Sequence, residues 1–216
     1  MKFDVIENIG AVQREVRDCE RDGRPARAVV AERTYDTTVD DLWDAITDGD
    51  RIPRWFLPIE GDLRLCGRYQ LVGNAGGEVM ACEPPTHLAV TWEFGEATTW
   101  LDVTLAPADG GARLRLEHVA TVDDPDQWDE FGPGAVGIGW DLTLLGLGEH
   151  IRTGEAVAAE ADPMGPDGME YMTRSSDAWY EADVAAGTGA DDARARADRT
   201  IAAYTGDGGD GGHPEG

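Results

Sequence analysis

The sequence predicts an α+β domain in which an antiparallel sheet packs against one long helix. Two observations carry that expectation. Between Gly61 and His118 the chain breaks into six short alternating runs, DLRLC, RYQLV, GEVMAC, HLAVTWEF, TTWLDVTLA and ARLRLEHV. Glycine- and proline-containing turns separate them, as in a strand meander. After them, GPGAVGIGWDLTLLGLGEHI sets Val136, Trp140, Leu144, Leu147 and Ile151 at helical spacing, one stripe along one helix.

Ahead of the meander, Val5, Ile9, Val12, Val16 and Cys19 are spaced as on an amphipathic helix, but Gly10 interrupts them. Asp22-Gly23 lies between two alternating stretches, AVQREVRD and ARAVVAERTY, which reads as a tight hairpin turn. The expectation is a short helix before Gly10 and two strands across residues 11 to 36. Thr38 then precedes VDDLWDAIT, where Val39, Leu42, Trp43 and Ile46 recur at helical spacing. Thr38 is placed to cap that helix, and Asp40 and Asp41 suit its dipole. Trp43 belongs to its buried stripe, whereas Trp55 and Phe56 follow Pro53 where the chain re-enters the sheet.

The long helix carries four internal glycines, at 137, 139, 146 and 148. Each lowers helix propensity by ~1 kcal/mol relative to alanine, so a broad surface must hold the helix, and the sheet is the expected one. Beyond Thr153 come a Pro/Gly-rich linker, ADPMGPDGM, and two helices, SSDAWYEADVAAG and GADDARARADRTIAAYTG. The closing GDGGDGGHPEG has the composition of a disordered tail.

Composition narrows the function classes. The 216 residues fit one domain with appendages. Lys and Arg number 18 against 43 Asp and Glu, a formal charge of −25. That charge repels phosphate backbones and anionic lipid, so no nucleic-acid or membrane partner is expected. Cys19, Cys66 and Cys82 form no C-x-x-C pair, which suggests neither a disulfide framework nor a zinc site. The first sixteen residues carry acids where a signal peptide has an apolar core. A cytoplasmic protein without cofactor or metal is expected. The acid pairs Asp40-Asp41, Asp123-Asp124 and Asp191-Asp192 lack the spaced oxygen ligands of a calcium loop and read as capping or solvated residues.

The ordered series of LWDAIT, RIPRWF, DLRLCGRY, EPPTHLAVTWEF, RLRLEH and GIGWDL resembles the SRPBCC or START-like superfamily. Within it, the series is similar to the heat-shock-protein ATPase activator homologue-like group. The resemblance covers about residues 26 to 152. It implies a helix-grip fold: a strongly curved antiparallel sheet wrapped around the long C-terminal helix, with a cavity between them that takes apolar or amphipathic small molecules in many relatives. The chain departs from the group's usual Gly-Gly at Cys66-Gly67. On this reading residues 1–25 are an N-terminal extension, 26–152 the START-like domain, 153–205 a linker and two-helix extension, and 206–216 the tail.

Strand alternation places Leu63, Leu65, Tyr69, Leu71, Leu88, Val90, Trp92, Leu101, Val103, Leu105, Leu114, Leu116 and His118 on one face. If that face meets the long helix, Trp55, Phe56, Tyr69, Trp92, His118, Trp140 and Leu144 are the candidates to line a cavity, although the same residues would serve as plain core. His118 is either a satisfied core histidine or a general base. Glu93 and Glu117 fall on the opposite parity and are expected to face solvent, which gives a carboxylate pair little support. GNAGG reads as a hairpin turn. Trp128 and Phe131, before the long helix, either form a lid or staple the helix start.

Three functions follow. The first is non-catalytic binding of an apolar or aromatic small molecule in the cavity. The second is an enzyme of cyclase, dehydratase or hydrolase type, with His118 or Tyr69 as acid/base. The third is a co-chaperone-like or regulatory module, acting as a homodimer or with a protein partner through C-terminal helices that carry Trp179, Tyr180 and Tyr204. A cavity below ~300 Å³ would count against both cavity readings.

Overall fold

The computed structural model describes residues 3–122, 125–158 and 162–206. The Asp123-Asp124 pair and nearly all of the tail lie outside them. Helix α1 (Val5–Gly10) ends at the glycine that breaks the amphipathic spacing, and β1 (Val12–Arg21) and β2 (Arg24–Tyr35) follow as a hairpin. Asp22 and Gly23 both have positive φ, 53° and 74°, the primed turn that matches strand twist. Helix α2 (Val39–Thr47) begins at Thr38, whose hydroxyl accepts from the Asp41 N–H at 3.2 Å. A 3₁₀ turn, Ile52–Arg54, leads into β3 (Ile59–Gly61), β4 (Arg68–Leu71), β5 (Gly76–Glu83), β6 (His87–Phe94), β7 (Ala97–Ala108) and β8 (Gly111–Thr121). The helices α3 (Pro125–Phe131), α4 (Gly134–Thr153), α5 (Pro166–Ala185) and α6 (Ala190–Thr205) complete the chain.

All eight strands form one antiparallel sheet in the order β1-β2-β8-β7-β6-β5-β4-β3. The curved sheet and α4 make the helix-grip architecture. Its inward stripe is built of cross-strand pairs: Val90 faces Leu101, Val103 faces Leu116 and Leu105 faces Leu114.

Two local expectations are corrected. DLRLC is not a strand; residues 62–67 form a turn, the pairing strand is β3, and Leu65 is 54% exposed. The turn is enforced at Gly67, where a Cβ would lie 2.1 Å from the Asp62 carbonyl oxygen. The second half of the expected linker is the first turn of α5, with Gly165 at its N-cap and Pro166 at the first position, where proline's missing N–H costs nothing.

Cys66 has φ +62°, the left-handed region that disfavours side chains. The departure from Gly-Gly therefore carries strain. Cys66→Gly is expected to stabilise the protein by ~0.5–1 kcal/mol, read as a raised midpoint in thermal or urea denaturation; an unchanged or lower midpoint refutes it.

The glycines of α4 also differ from expectation. They admit neighbours from the C-terminal helices as well as from the sheet. A Cβ at Gly137 would sit 2.4 Å from the Trp179 ring of α5, and one at Gly148 would sit 2.8 Å from the Arg33 guanidinium of β2. Gly134 meets Thr200 of α6. α4 is thus covered by the C-terminal helices as well as by the sheet. Ile138, Leu144 and Leu147 are all buried on it, as befits a helix enclosed on most sides.

Candidate functional site

The inward stripe of the sheet and one face of α4 line an apolar cavity of about 140 Å³. Helix α4 contributes Trp140, Thr143, Leu144 and Leu147, positions that share a face at helical spacing. β4 supplies Tyr69 and Leu71, and β6 supplies Leu88, Val90 and Trp92. Trp55 and Phe56 close the end beside α2, their rings stacked at 5.7 Å and 19°.

Six of the seven candidate residues, Trp55, Phe56, Tyr69, Trp92, Trp140 and Leu144, border this space. His118 does not. It stands behind the Trp92 and Trp140 rings, 6.2 and 5.7 Å away between centroids. The Trp140 Nε1–H donates to His118 Nδ1 at 2.9 Å, which puts the imidazole proton on Nε2. From there it reaches Thr99 Oγ1 at 2.7 Å, and the Thr99 hydroxyl donates to the Trp92 carbonyl at 3.1 Å. Burial pushes the His118 pKa down to about 4. This is a satisfied, neutral core histidine, poorly matched to general-base work at neutral pH.

Five of the polar groups on the cavity wall are engaged elsewhere. The Trp55 Nε1–H donates to the Ala45 carbonyl at 2.9 Å and the Tyr69 hydroxyl to the Thr91 carbonyl at 2.8 Å. Thr47 and Thr143 donate to the carbonyls of Trp43 and Gly139, each four residues earlier on their own helices. Burial also pushes the Tyr69 phenol well above its ordinary range. These groups do not converge on a reacting atom.

Sequence reasoning missed three contributors. Cys82 borders the cavity because β5 carries a bulge between Val79 and Ala81. Met80 is 45% exposed there, and the inward parity resumes one residue late. Arg51 anchors the Trp55 end: its guanidinium donates to Asp41 Oδ1 and Asp44 Oδ2, both at 2.8 Å, and to His150 Nε2 at 3.2 Å. The Arg51 guanidinium in turn holds the Asp41 carboxyl below its ordinary range. The third contributor is Asp141, a wholly buried carboxylate facing α5. Its sequence signal was a charged residue inside GWDLTLL.

Other candidates resolve as packing. Trp128 lies in α3 with the Arg27 guanidinium 4.8 Å over its ring, and the Phe131 carbonyl accepts from Thr200. Neither borders the cavity. Trp179 is 1% exposed, the Tyr204 hydroxyl donates to the Ala135 carbonyl, and Arg194 covers Tyr180; these aromatics bind the chain's own helices. Glu93 pairs with Arg68, whereas Glu117, only 15% exposed, pairs with Arg17 and Arg115. Glu117 is thus half-buried by ion pairs and not free in solvent as its parity suggested. Among the described residues no group of three or more His, Cys, Asp or Glu is arranged to hold a metal ion, and no helix is long and apolar enough to cross a membrane.

Comparison with known proteins matches residues 36–152 to the family described as Activator of Hsp90 ATPase homolog 1-like protein. The crystal structure of CalU16 from Micromonospora echinospora is 30% identical, with a TM-score of 0.65 over 80% of this chain and 98% of that one. Its solution structure gives 0.69 over 82% and 97%. MLL2253 from Mesorhizobium loti is 25% identical, with a TM-score of 0.53 over 59% of this chain and 98% of that one. The likeness to CalU16 therefore reaches beyond residues 36–152. No protein with a curated description matches.

Proposed function

Because the chain belongs to the Activator of Hsp90 ATPase homolog 1-like family, whose grip fold lines a cavity here, we propose that it binds a small apolar molecule there without transforming it. The observation that carries this reading is an apolar chamber in which the Trp55, Trp140, Tyr69, Thr47 and Thr143 donors are already spent on the protein itself. Such a wall recognises hydrocarbon or aromatic surface, and it offers catalysis no second polar group.

Size sharpens the class. The chamber of about 140 Å³ lies below the ~300 Å³ that counts against the cavity readings; it rules out a ligand of ordinary size, and the binding reading stands only for a smaller one. An apolar cavity of ~150 Å³ in another protein stays dry and takes benzene. The ligand, or the part of it that enters this chamber, is accordingly about one aromatic ring in size.

Toluene or indole is the probe. At a concentration ~100-fold above Kd, binding to the folded state alone adds ~2.7 kcal/mol, a rise of ~5–10 °C in melting temperature for a chain of this length. Alkylation of Cys82, followed by peptide mass spectrometry, locates the probe: Cys82 slows on binding while exposed Cys66 does not. Stabilisation without Cys82 protection, or none with either probe, refutes the reading.

A further inference from the structure

We propose that Trp55 is the specificity-determining residue of this cavity, its indole forming the wall between the one-ring chamber and a second, larger recess that the C-terminal extension builds behind it. The proposal rests on the binding reading above. Trp55 borders both spaces. The outer recess measures about 370 Å³, between Leu142, Leu145 and Gly146 of α4, Val157 beyond it, and Gly165 and Gly168 at the start of α5. The family match covers residues 36–152, so most of this recess is made by chain outside the family's span.

The wall is fixed from several sides. The indole N–H is held by the Ala45 carbonyl, and Phe56 stacks on the ring. Beneath its backbone lies Gly146, where a Cβ would come within 2.7 Å of the Trp55 carbonyl oxygen. The Val157 N–H donates to the Arg54 carbonyl at 2.7 Å, and the Arg54 guanidinium returns to the Gly154 carbonyl at 2.6 Å. The extension is thereby tied to the residue next to the wall. A side chain held this way sets a size limit: one ring is admitted, and a fused polycycle is not. With the indole removed, the joined spaces reach ~500 Å³, inside the ordinary range for small-molecule pockets.

The experiment compares toluene with pyrene on wild type, Trp55→Ala and Trp55→Leu, each first shown to be folded by circular dichroism. Leucine preserves apolar packing should the alanine variant not fold, and then decides the outcome. Wild type is expected to bind toluene and to exclude pyrene. The variants are expected to bind pyrene at least ~tenfold more tightly than wild type, a difference of ~1.4 kcal/mol, with Cys82 protected from alkylation in the complex. Two results overturn the partition and leave the cavity reading standing: toluene binding throughout with pyrene excluded from the folded variants, or pyrene binding to wild type as tightly as to them. Binding of neither probe by any of the proteins overturns the cavity reading, and the partition with it.

Discussion

Asp141→Ala is expected to remove ~3–5 kcal/mol of stability, the usual cost of breaking a buried ion pair from one side. Asp141 sits in the middle of α4 with no exposed surface. Its Oδ2 accepts from Arg14 Nε of β1 at 2.9 Å, from Trp179 Nε1 of α5 at 3.1 Å, and from the Ser175 hydroxyl of α5 in a short bond. The Tyr171 hydroxyl donates to the Asp141 backbone carbonyl at 3.0 Å. One carboxylate therefore holds β1 of the N-terminal hairpin and α5 to the long helix. Burial raises its pKa, opposed first by the Arg14 charge. Without it, the Arg14 side chain, only 6% exposed, becomes a buried uncompensated cation. Urea denaturation measures the loss, and hydrogen exchange should find α5 weakened first. A loss below ~1 kcal/mol would mean that apolar packing alone docks α5, surface pairs being worth that little. Arg14→Met combined with Asp141→Leu should recover most of the loss, since well-packed apolar replacements of buried pairs are often neutral or better.

That clip also marks where sequence reading stops. The Asp22-Gly23 turn, the Thr38 cap and the inward stripes of β6, β7 and β8 were legible because each is written in residues close together along the chain. Arg14 and Asp141 are 127 positions apart, and no periodicity relates them. The glycines of α4 called for a broad surface and pointed to the sheet alone; absence of a side chain looks alike whether sheet, helix or guanidinium comes near. Leu63 and Leu65 alternate as a strand would, but Gly67 and the left-handed Cys66 turn the chain before a ladder forms. Six of the seven candidate residues reached the cavity wall because strand parity and helical spacing locate faces correctly. His118 shares the face and misses the cavity by one ladder step, since Trp92 and Trp140 stand in front of it. Cys82 was illegible for the complementary reason: a bulge changes parity and leaves no mark in the pattern.

His118→Gln is expected to abolish a loss of stability that wild type suffers between about pH 6.5 and pH 4. The histidine's pKa falls from 6.5 to about 4 in the fold, so between those values the unfolded chain takes up a proton that the folded chain refuses. A depressed pKa stabilises fully above the unfolded value, and that stabilisation fades as pH falls towards the folded one. The shift corresponds to ~3 kcal/mol at 1.36 kcal/mol per unit. Below about pH 4 both states are charged, and no further loss comes from this residue. The carboxyls of Asp41, Glu93 and Glu117, held low chiefly through arginine partners, lose their stabilisation at the acid end of this window and below it. Asp141, with its raised pKa, works in the opposite direction. Subtracting the glutamine variant's pH profile from that of wild type cancels these shared groups. Glutamine can still accept from the Trp140 N–H and donate to Thr99, so the difference reports the proton and not the packing. A difference that stays flat from pH 7 to pH 4 would mean the imidazole charges inside the fold. The Trp140 N–H would then have no acceptor, and the contacts of Trp92 and Trp140 with His118 would have to be redrawn around an imidazolium.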